Sequence, residues 1–272
     1  VDASGTPVGV NGLNGQTAQS GYFAATTTAR YYVELLPSNN AYTLSLATVG
    51  DDRAQTISTT GTLAVGSPAS GVFEARGDAD WYAITLAADT SYRFTLSGAA
   101  LSGESWRVRF ADSTGTILGT GPNINSALFS SRAAGTYYVS AELFAGASGG
   151  ATTSRAYTLT ATTVASDVVD TINTASALTI GGTINSSWQA LNDADWFRVT
   201  LTAGQSYSFS QTGSGNGFPG PTIALYDSTG ALIKRGGAVM DGTLLTATAA
   251  TSGTYYLGLA TGTYLGAYAV TT

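Results

Sequence analysis

Two matching pairs of aspartates are the residues of this sequence best placed to do chemistry. Gly77-Asp78-Ala79-Asp80-Trp81-Tyr82-Ala83-Ile84-Thr85-Leu86 returns as Asn192-Asp193-Ala194-Asp195-Trp196-Phe197-Arg198-Val199-Thr200-Leu201. In each copy the carboxylates stand at i and i+2 on the opening of a run that alternates Tyr82, Ile84 and Leu86, or Phe197, Val199 and Leu201, on one face. On an extended backbone such a pair points to one side. Further acids lie upstream, Asp51 and Asp52 before the first pair and Asp167 and Asp170 before the second. Clustered carboxylates with carbonyls and water are the donor set of calcium, which takes about six to eight oxygens. A linker folding back on the doorway would join Asp51 and Asp52 to Asp78 and Asp80, and Asp167 and Asp170 to Asp193 and Asp195. The plain alternative is that these aspartates cap turns and keep the surface soluble.

Composition removes most other chemistries. The 272 residues contain no cysteine and no histidine, so there is no disulfide framework, thiolate or imidazole metal site, Ser-His-Asp triad or Cys-His pair. The net charge is −6, and the eleven Lys and Arg residues, Lys234 the single lysine, are scattered. That argues against nucleic acid and anionic membranes, which need a basic patch. No apolar run approaches the roughly 20 residues of a membrane span. The acids Glu34, Glu74, Glu104 and Glu142 hold unrelated places in the repeat and make no glycosidase pair. Gly213-Ser214-Gly215-Asn216-Gly217 lacks the lysine and following helix of a phosphate loop. The chain reads as non-catalytic.

The elements that must hold the aspartates are strands, and they repeat. An Asp-first, Gly-fourth hairpin tetrad occurs as Asp2-Ala3-Ser4-Gly5, Asp112-Ser113-Thr114-Gly115 and Asp227-Ser228-Thr229-Gly230, with spacings 112−2=110 and 227−112=115. A tyrosine pair recurs as Tyr31-Tyr32, Tyr137-Tyr138 and Tyr255-Tyr256, with the first of each facing inward beside Val33, Val139 or Leu257. A closing strand recurs as Ala41-Tyr42-Thr43-Leu44, Ala156-Tyr157-Thr158-Leu159 and Ala267-Tyr268-Ala269-Val270. The Trp doorway occurs only twice, at 196−81=115. The division is therefore the C-terminal half of a module at 1–50 and whole modules at 51–165 and 166–272. Period-2 runs such as Tyr92, Phe94, Leu96 and Trp106, Val108, Phe110, with no sustained helical stripe, make each module an antiparallel β-sandwich. Asp89 stands where the last module has Gly204, a left-handed position. The half copy at a Val1 start implies a processed, excised or truncated chain, or one completed by strands from a neighbour.

The tryptophans Trp81 and Trp196 fall on the face opposite Ile84 and Val199, with Arg198 and Thr200. There they would stack on a sugar ring, cover the linker or contact the next module. Trp106 and Trp188 have no counterparts in the repeat and read as local packing, Trp188 with the option of an inter-module contact.

In order, the acidic linker, Gly-Asp-Ala-Asp-Trp-Tyr-Ala-Ile-Thr-Leu, a Tyr-x-Phe strand, Asp-Ser-Thr-Gly, Ala-Gly-Thr-Tyr-Tyr-Val and a closing Tyr-Thr-Leu resemble the bacterial pre-peptidase C-terminal domain. The resemblance covers both whole modules and the half copy. It implies a jelly-roll-like sandwich, repeated in exported peptidases, adhesins and type I-secreted surface proteins, with calcium bound near the linker in several relatives and insoluble substrate held by some. No peptidase domain and no nonapeptide calcium repeat accompany it here.

These readings give an all-β chain of tandem antiparallel β-sandwich modules, the first incomplete. Its expected role is structural or adhesive, in a secreted or cell-surface bacterial assembly rigidified by calcium. Partners would be neighbouring modules of a longer chain or further copies, extending to a head-to-tail filament by strand complementation. The rival expectation is an accessory region that holds polysaccharide or protein for an exported hydrolase or peptidase.

Overall fold

A computed structural model of the protein describes residues 28–33, 41–48, 50–74, 78–98, 105–121, 126–144, 155–213, 222–239, 242–260 and 265–272. The tetrad at Asp2, Gly77, the acids Glu34 and Glu104, and residues 214–217 of the glycine-rich stretch lie outside these. Seventeen strands and no helix occur among the described residues.

The strands form two sets whose pairings do not cross. The first comprises β1 (Ala69–Phe73), β2 (Ala79–Leu86), β3 (Thr90–Ser97), β4 (Ser105–Ala111), β5 (Ile117–Thr120), β6 (Ser126–Ser131), β7 (Gly135–Phe144) and β8 (Arg155–Val164). Its sheets run β1-β8-β3-β6 and β2-β7-β4-β5, the strand order of a jelly roll. The second set comprises β9 (Thr183–Trp188), β10 (Ala194–Leu201), β11 (Ser206–Gly213), β12 (Thr222–Tyr226), β13 (Leu232–Arg235), β14 (Gly237–Val239), β15 (Gly242–Thr248), β16 (Gly253–Ala260) and β17 (Gly266–Thr271). It repeats the pattern as β9-β17-β11-β15 and β10-β16-β12-β13, with β14 added beside β15. Every pairing within the sheets is antiparallel.

Alternation in the sequence becomes alternation in burial. Tyr92, Phe94 and Leu96 point into the first core while Arg93 is exposed, and Tyr255, Leu257 and Leu259 point into the second. Phe110 stacks on Phe129 at 4.6 Å and meets Phe94 edge-on at 4.9 Å, joining the two sheets of the first sandwich. The extra tryptophans are core packing: Trp188 stacks on Tyr268 at 4.3 Å, and Trp106 lies against the first core.

The turns behave as their residues dictate. Asp112 Oδ1 accepts from the backbone N–H groups of Thr114 and Thr116 and from the Thr114 hydroxyl, and Asp227 does the same with Thr229 and Ala231. Both carboxyls are held below the ordinary carboxylate value, first by the threonine hydroxyl. Gly115 and Gly230 complete the tetrads at φ 89° and 85°, and Asp89 adopts φ 51° where Gly204 has 76°.

Each sandwich begins with a linker laid along its doorway strand. Leu63 N–H donates to Ala83 O, and Ala83 N–H to Gly61 O; Leu178, Arg198 and Ser176 repeat this in the second sandwich. Trp81 N–H donates to Ala54 O, as Trp196 does to Val169 O. The first copy departs from the expectation of strands at Tyr31-Tyr32 and Ala41–Leu44: residues 28–33 and 41–48 lie in no strand.

Candidate metal centre

The doorway aspartates are buried, not displayed. Asp78, Asp80, Asp193 and Asp195 are each at most 2% exposed. They sit there because their strands begin inside the linker's wrap, and each finds fixed partners. Asp78 Oδ2 accepts from Glu74 N–H at 2.9 Å, and Asp193 Oδ2 from Gln189 N–H at 2.8 Å, the same contact ahead of β2 and β10. Asp80 Oδ2 accepts from the Tyr157 hydroxyl at 2.5 Å, and Asp195 Oδ2 from that of Tyr268. Tyr157 also shares a hydrogen bond with the Tyr82 hydroxyl at 2.6 Å, and the Arg53 guanidinium sits over the Tyr82 ring, 5.4 Å from its centroid.

The linker acids do fold back. Asp51, Glu74 and Asp78 each place a carboxylate oxygen within 4.8 Å of the others, and so do Asp51, Asp52 and Asp80. In the second sandwich Asp167, Asp193 and Asp195 form the matching triad. Asp170 falls outside it; its counterpart 170−115=55 is Gln55, so that position is not acidic in both copies. Asp170 lies instead within the field of Arg132 and Asp193 at the junction between the sandwiches.

Crowding acids in a dry place has two consequences. Burial pushes Asp80 and Asp195 up to about 8, and neighbouring carboxylates add to the rise. Glu74 is raised to about 8 and Asp170 to about 7, in both cases first by burial. Second, Asp80 Oδ1, Asp195 Oδ1 and Glu74 Oε2 are buried with no hydrogen-bond partner among the described residues. Buried polar atoms are nearly always paired, so three such oxygens in acid clusters mark places that a cation would satisfy. The donor set is all carboxylate oxygen, in a chain without thiolate or imidazole, which suits a hard divalent cation.

Three contributors escaped the sequence reading. Glu74 was placed among unrepeated glutamates, yet its position recurs as Gln189, 189−74=115. The acid-for-amide change concealed the spacing, which was the available signal. Leu191 and Arg132 build the junction. Leu191 is buried in the first sandwich's core although it belongs to the second sandwich's doorway loop, and it pairs through backbone bonds with Leu128 and Ser130 of β6. Arg132 donates to the carbonyls of Asn192 and Asp193 at 2.9 and 2.8 Å, and Asn192 Nδ2 to Ser130 O at 2.9 Å. Leu191 stands where the earlier module has Arg76, a break in the repeat visible at the standard offset 191−115=76. Asp193 thus serves the triad with its carboxylate and the junction with its carbonyl.

The tryptophans are less open than expected. Trp81 is 6% exposed, which closes it to a stacking ligand; Trp196 is half-buried and stacks on Tyr226 at 4.2 Å above Gly258. Arg107 and Arg109 both pair with Glu142 at 2.7 Å on the corresponding face of the first sandwich.

No protein-family model and no curated protein sequence matches this chain. Solved structures of similar shape include the pre-peptidase C-terminal domain of collagenase from Bacillus anthracis, 12% identical, covering 42% of this chain and 99% of that one, with a TM-score of 0.31. The CUB1-EGF-CUB2 domains of rat MASP-1 are 8% identical over 78% of this chain and 100% of theirs, TM-score 0.23. The Arthrobacter globiformis T6 isomalto-dextranase complexed with panose is 10% identical over 74% and 36%, TM-score 0.21. At these scores the reading of the site rests on its own geometry.

Proposed function

We propose that the protein is a non-catalytic, extracellular β-sandwich array of a secreted or cell-surface assembly, adhesive or structural in role, whose modules are stiffened by calcium at the linker and doorway. The observation that carries this is the convergence of linker acids on buried Asp80 and Asp195, each keeping one oxygen without a partner. Asp51 with Glu74 and Asp78, or Asp51 with Asp52 and Asp80, would hold an ion in the first sandwich, and Asp167, Asp193 and Asp195 one in the second. When bound, the cation supplies charge neutralisation that mutually repelling carboxylates lack. The chain's own residues do the rest: the tyrosine hydroxyls orient one oxygen of each inner aspartate, and the backbone N–H groups of Glu74 and Gln189 hold the outer one. A linker fixed this way cannot peel from its strand, so the array transmits force along its length.

Calorimetric titration of the chelator-stripped protein with Ca²⁺ tests this. Binding with a rise in melting temperature, abolished by Asp80→Asn with Asp195→Asn, is the expected result; no heat and no shift would end the reading. The rival reading, an accessory region that holds polysaccharide, would need open aromatic platforms. Burial of Trp81 favours the structural role, and a glycan array with Trp196→Ala as control separates the two.

A further inference from the structure

The face of the first sandwich that takes up Leu191 has a counterpart on the second, and the counterpart is built differently. In the first sandwich Gly119 lies opposite Phe110 on edge strand β5, while β6 forms the edge of the other sheet. Leu191 enters beside Gly119 and makes backbone bonds with Leu128 and Ser130 on the open side of β6. A Cβ at Gly119 would come to 3.2 Å from both the Cβ and the Cδ1 of Leu191, so the missing side chain is what makes the room. Arg132 then ties the loop down through the carbonyls of Asn192 and Asp193.

In the second sandwich the same register position holds Lys234. Leu225 lies opposite Lys234 as Phe110 lies opposite Gly119, with 225−110=115 and 234−119=115, and both ladders slip at the next pair. Because Leu225 is a core residue, Lys234 starts from the core side of its sheet although it stands at an exposed edge. It is the single lysine of the chain and makes no ion pair among the described residues. The edge beside it is otherwise inviting. β14 covers only Gly242–Leu244 of β15, Leu245–Thr248 carry no strand pairing on that side among the described residues, and Leu232, Ile233 and Leu244 are 48%, 47% and 39% exposed. Ala247 pairs with Tyr207 as Phe129 pairs with Tyr92, so Thr246 and Thr248 answer to Leu128 and Ser130, and Ala250 to Arg132, at 247−129=118 and 250−132=118.

We propose that this register position decides whether a sandwich accepts the doorway loop of a neighbour: Gly119 opens the first sandwich to Leu191, and Lys234 closes the face of β13 and β15 to the Leu191 loop of a second copy. A side chain at this position begins where the leucine must sit, and a loop seated over Lys234 would bury an ammonium group without a partner. Charge set on the core side of an open edge is also a means by which β-proteins keep their edges from pairing. The contact is heterologous, so without such a block it could repeat from copy to copy without closing. The chain therefore docks its two sandwiches in cis and does not run on through further copies by the same contact. This does not rest on the metal reading and is tested in chelator throughout, so the failure of one leaves the other standing.

Exchanging the residues should move the contact from cis to trans. Gly119→Lys should release Leu191, so that amide protection across Ser126–Ser131 falls by about tenfold or more and the radius of gyration rises while the chain stays monomeric. Gly119→Val serves in its place where melting shows that lysine unfolds the first sandwich. Lys234→Gly with Ala250→Arg opens the second face, yet this variant should remain monomeric and compact, because Leu191 is engaged in cis. With all three substitutions the loop is free and another copy offers it a place. The weight-average mass in sedimentation should then climb with concentration beyond that of either parent, and adding Leu191→Ala should return it to the monomer. A junction undisturbed by substitution at Gly119, or a triple variant that stays monomeric or associates equally without Leu191, overturns the proposal.

Discussion

A carboxylate with one oxygen satisfied and the other buried and bare is poised between a proton and a cation, and Asp80 and Asp195 are both in that state. Their folded pKa of about 8 lies above the ordinary 3.8 because burial disfavours the charge. Without metal the folded protein therefore keeps protons that the unfolded chain has released. The stabilisation is complete below about pH 4 and is lost as pH rises through about 8. Melting temperature in chelator should accordingly fall from pH 5 to pH 8.5, and calcium, replacing the protons, should flatten the profile. Asp80→Asn with Asp195→Asn should flatten the chelator profile as well. A chelator profile that climbs with pH would contradict the assignment. Asp52, Asp78 and Asp80 could be picked out because the repeat prints them again as Asp167, Asp193 and Asp195. Asp170 and Glu74 show the limit: in each, one copy holds an acid and the other an amide, so neither spacing nor residue type alone separates ligand from neighbour.

Strands were legible for the same reason that they form, since alternation of apolar and polar residues means little unless a sheet buries one face. Their order was not. β1 pairs with β8 across more than eighty residues, and nothing local in Ala69–Phe73 names Arg155–Val164 as its partner. Comparing the copies recovers part of it afterwards. Gly71 lies opposite Tyr157, where an added Cβ would press on the Tyr157 hydroxyl and come 2.6 Å from that of Tyr82. In the other sandwich Ser186 lies opposite Tyr268, and the place of Tyr82 is taken by Phe197, which has no hydroxyl. A glycine with two hydroxyls has become a serine with one. Gly71→Ala should cost about 1–3 kcal/mol through overpacking, read as a lower denaturation midpoint. Adding Tyr82→Phe should recover part of that loss, and no recovery would show that the tyrosine pair does not set the size at position 71.

At the scale of the molecule, the two sandwiches are joined by a residue that belongs to one in sequence and to the other in packing. Leu191 fills a site in the first core against Gly119, where even a methyl group would approach its Cβ to 3.2 Å. Leu191→Ala should therefore cost about 2–5 kcal/mol, and the loss should fall on the sandwich that does not contain it in sequence. Exchange protection across Ser126–Ser131 reports it. The junction also has a second fastening, because Asp193 is held by Arg132 through its carbonyl and lies in the acid triad through its carboxylate. Two fastenings on one loop make the metal's effect conditional. With Leu191 in place the angle between sandwiches should change little on chelation, since the buried side chain and the backbone bonds to β6 remain. With Leu191→Ala, chelation should release the loop and raise the radius of gyration in small-angle scattering, while calcium should restore it. If the variant is as compact in chelator as in calcium, the triad stiffens only its own linker and takes no part in holding the modules together.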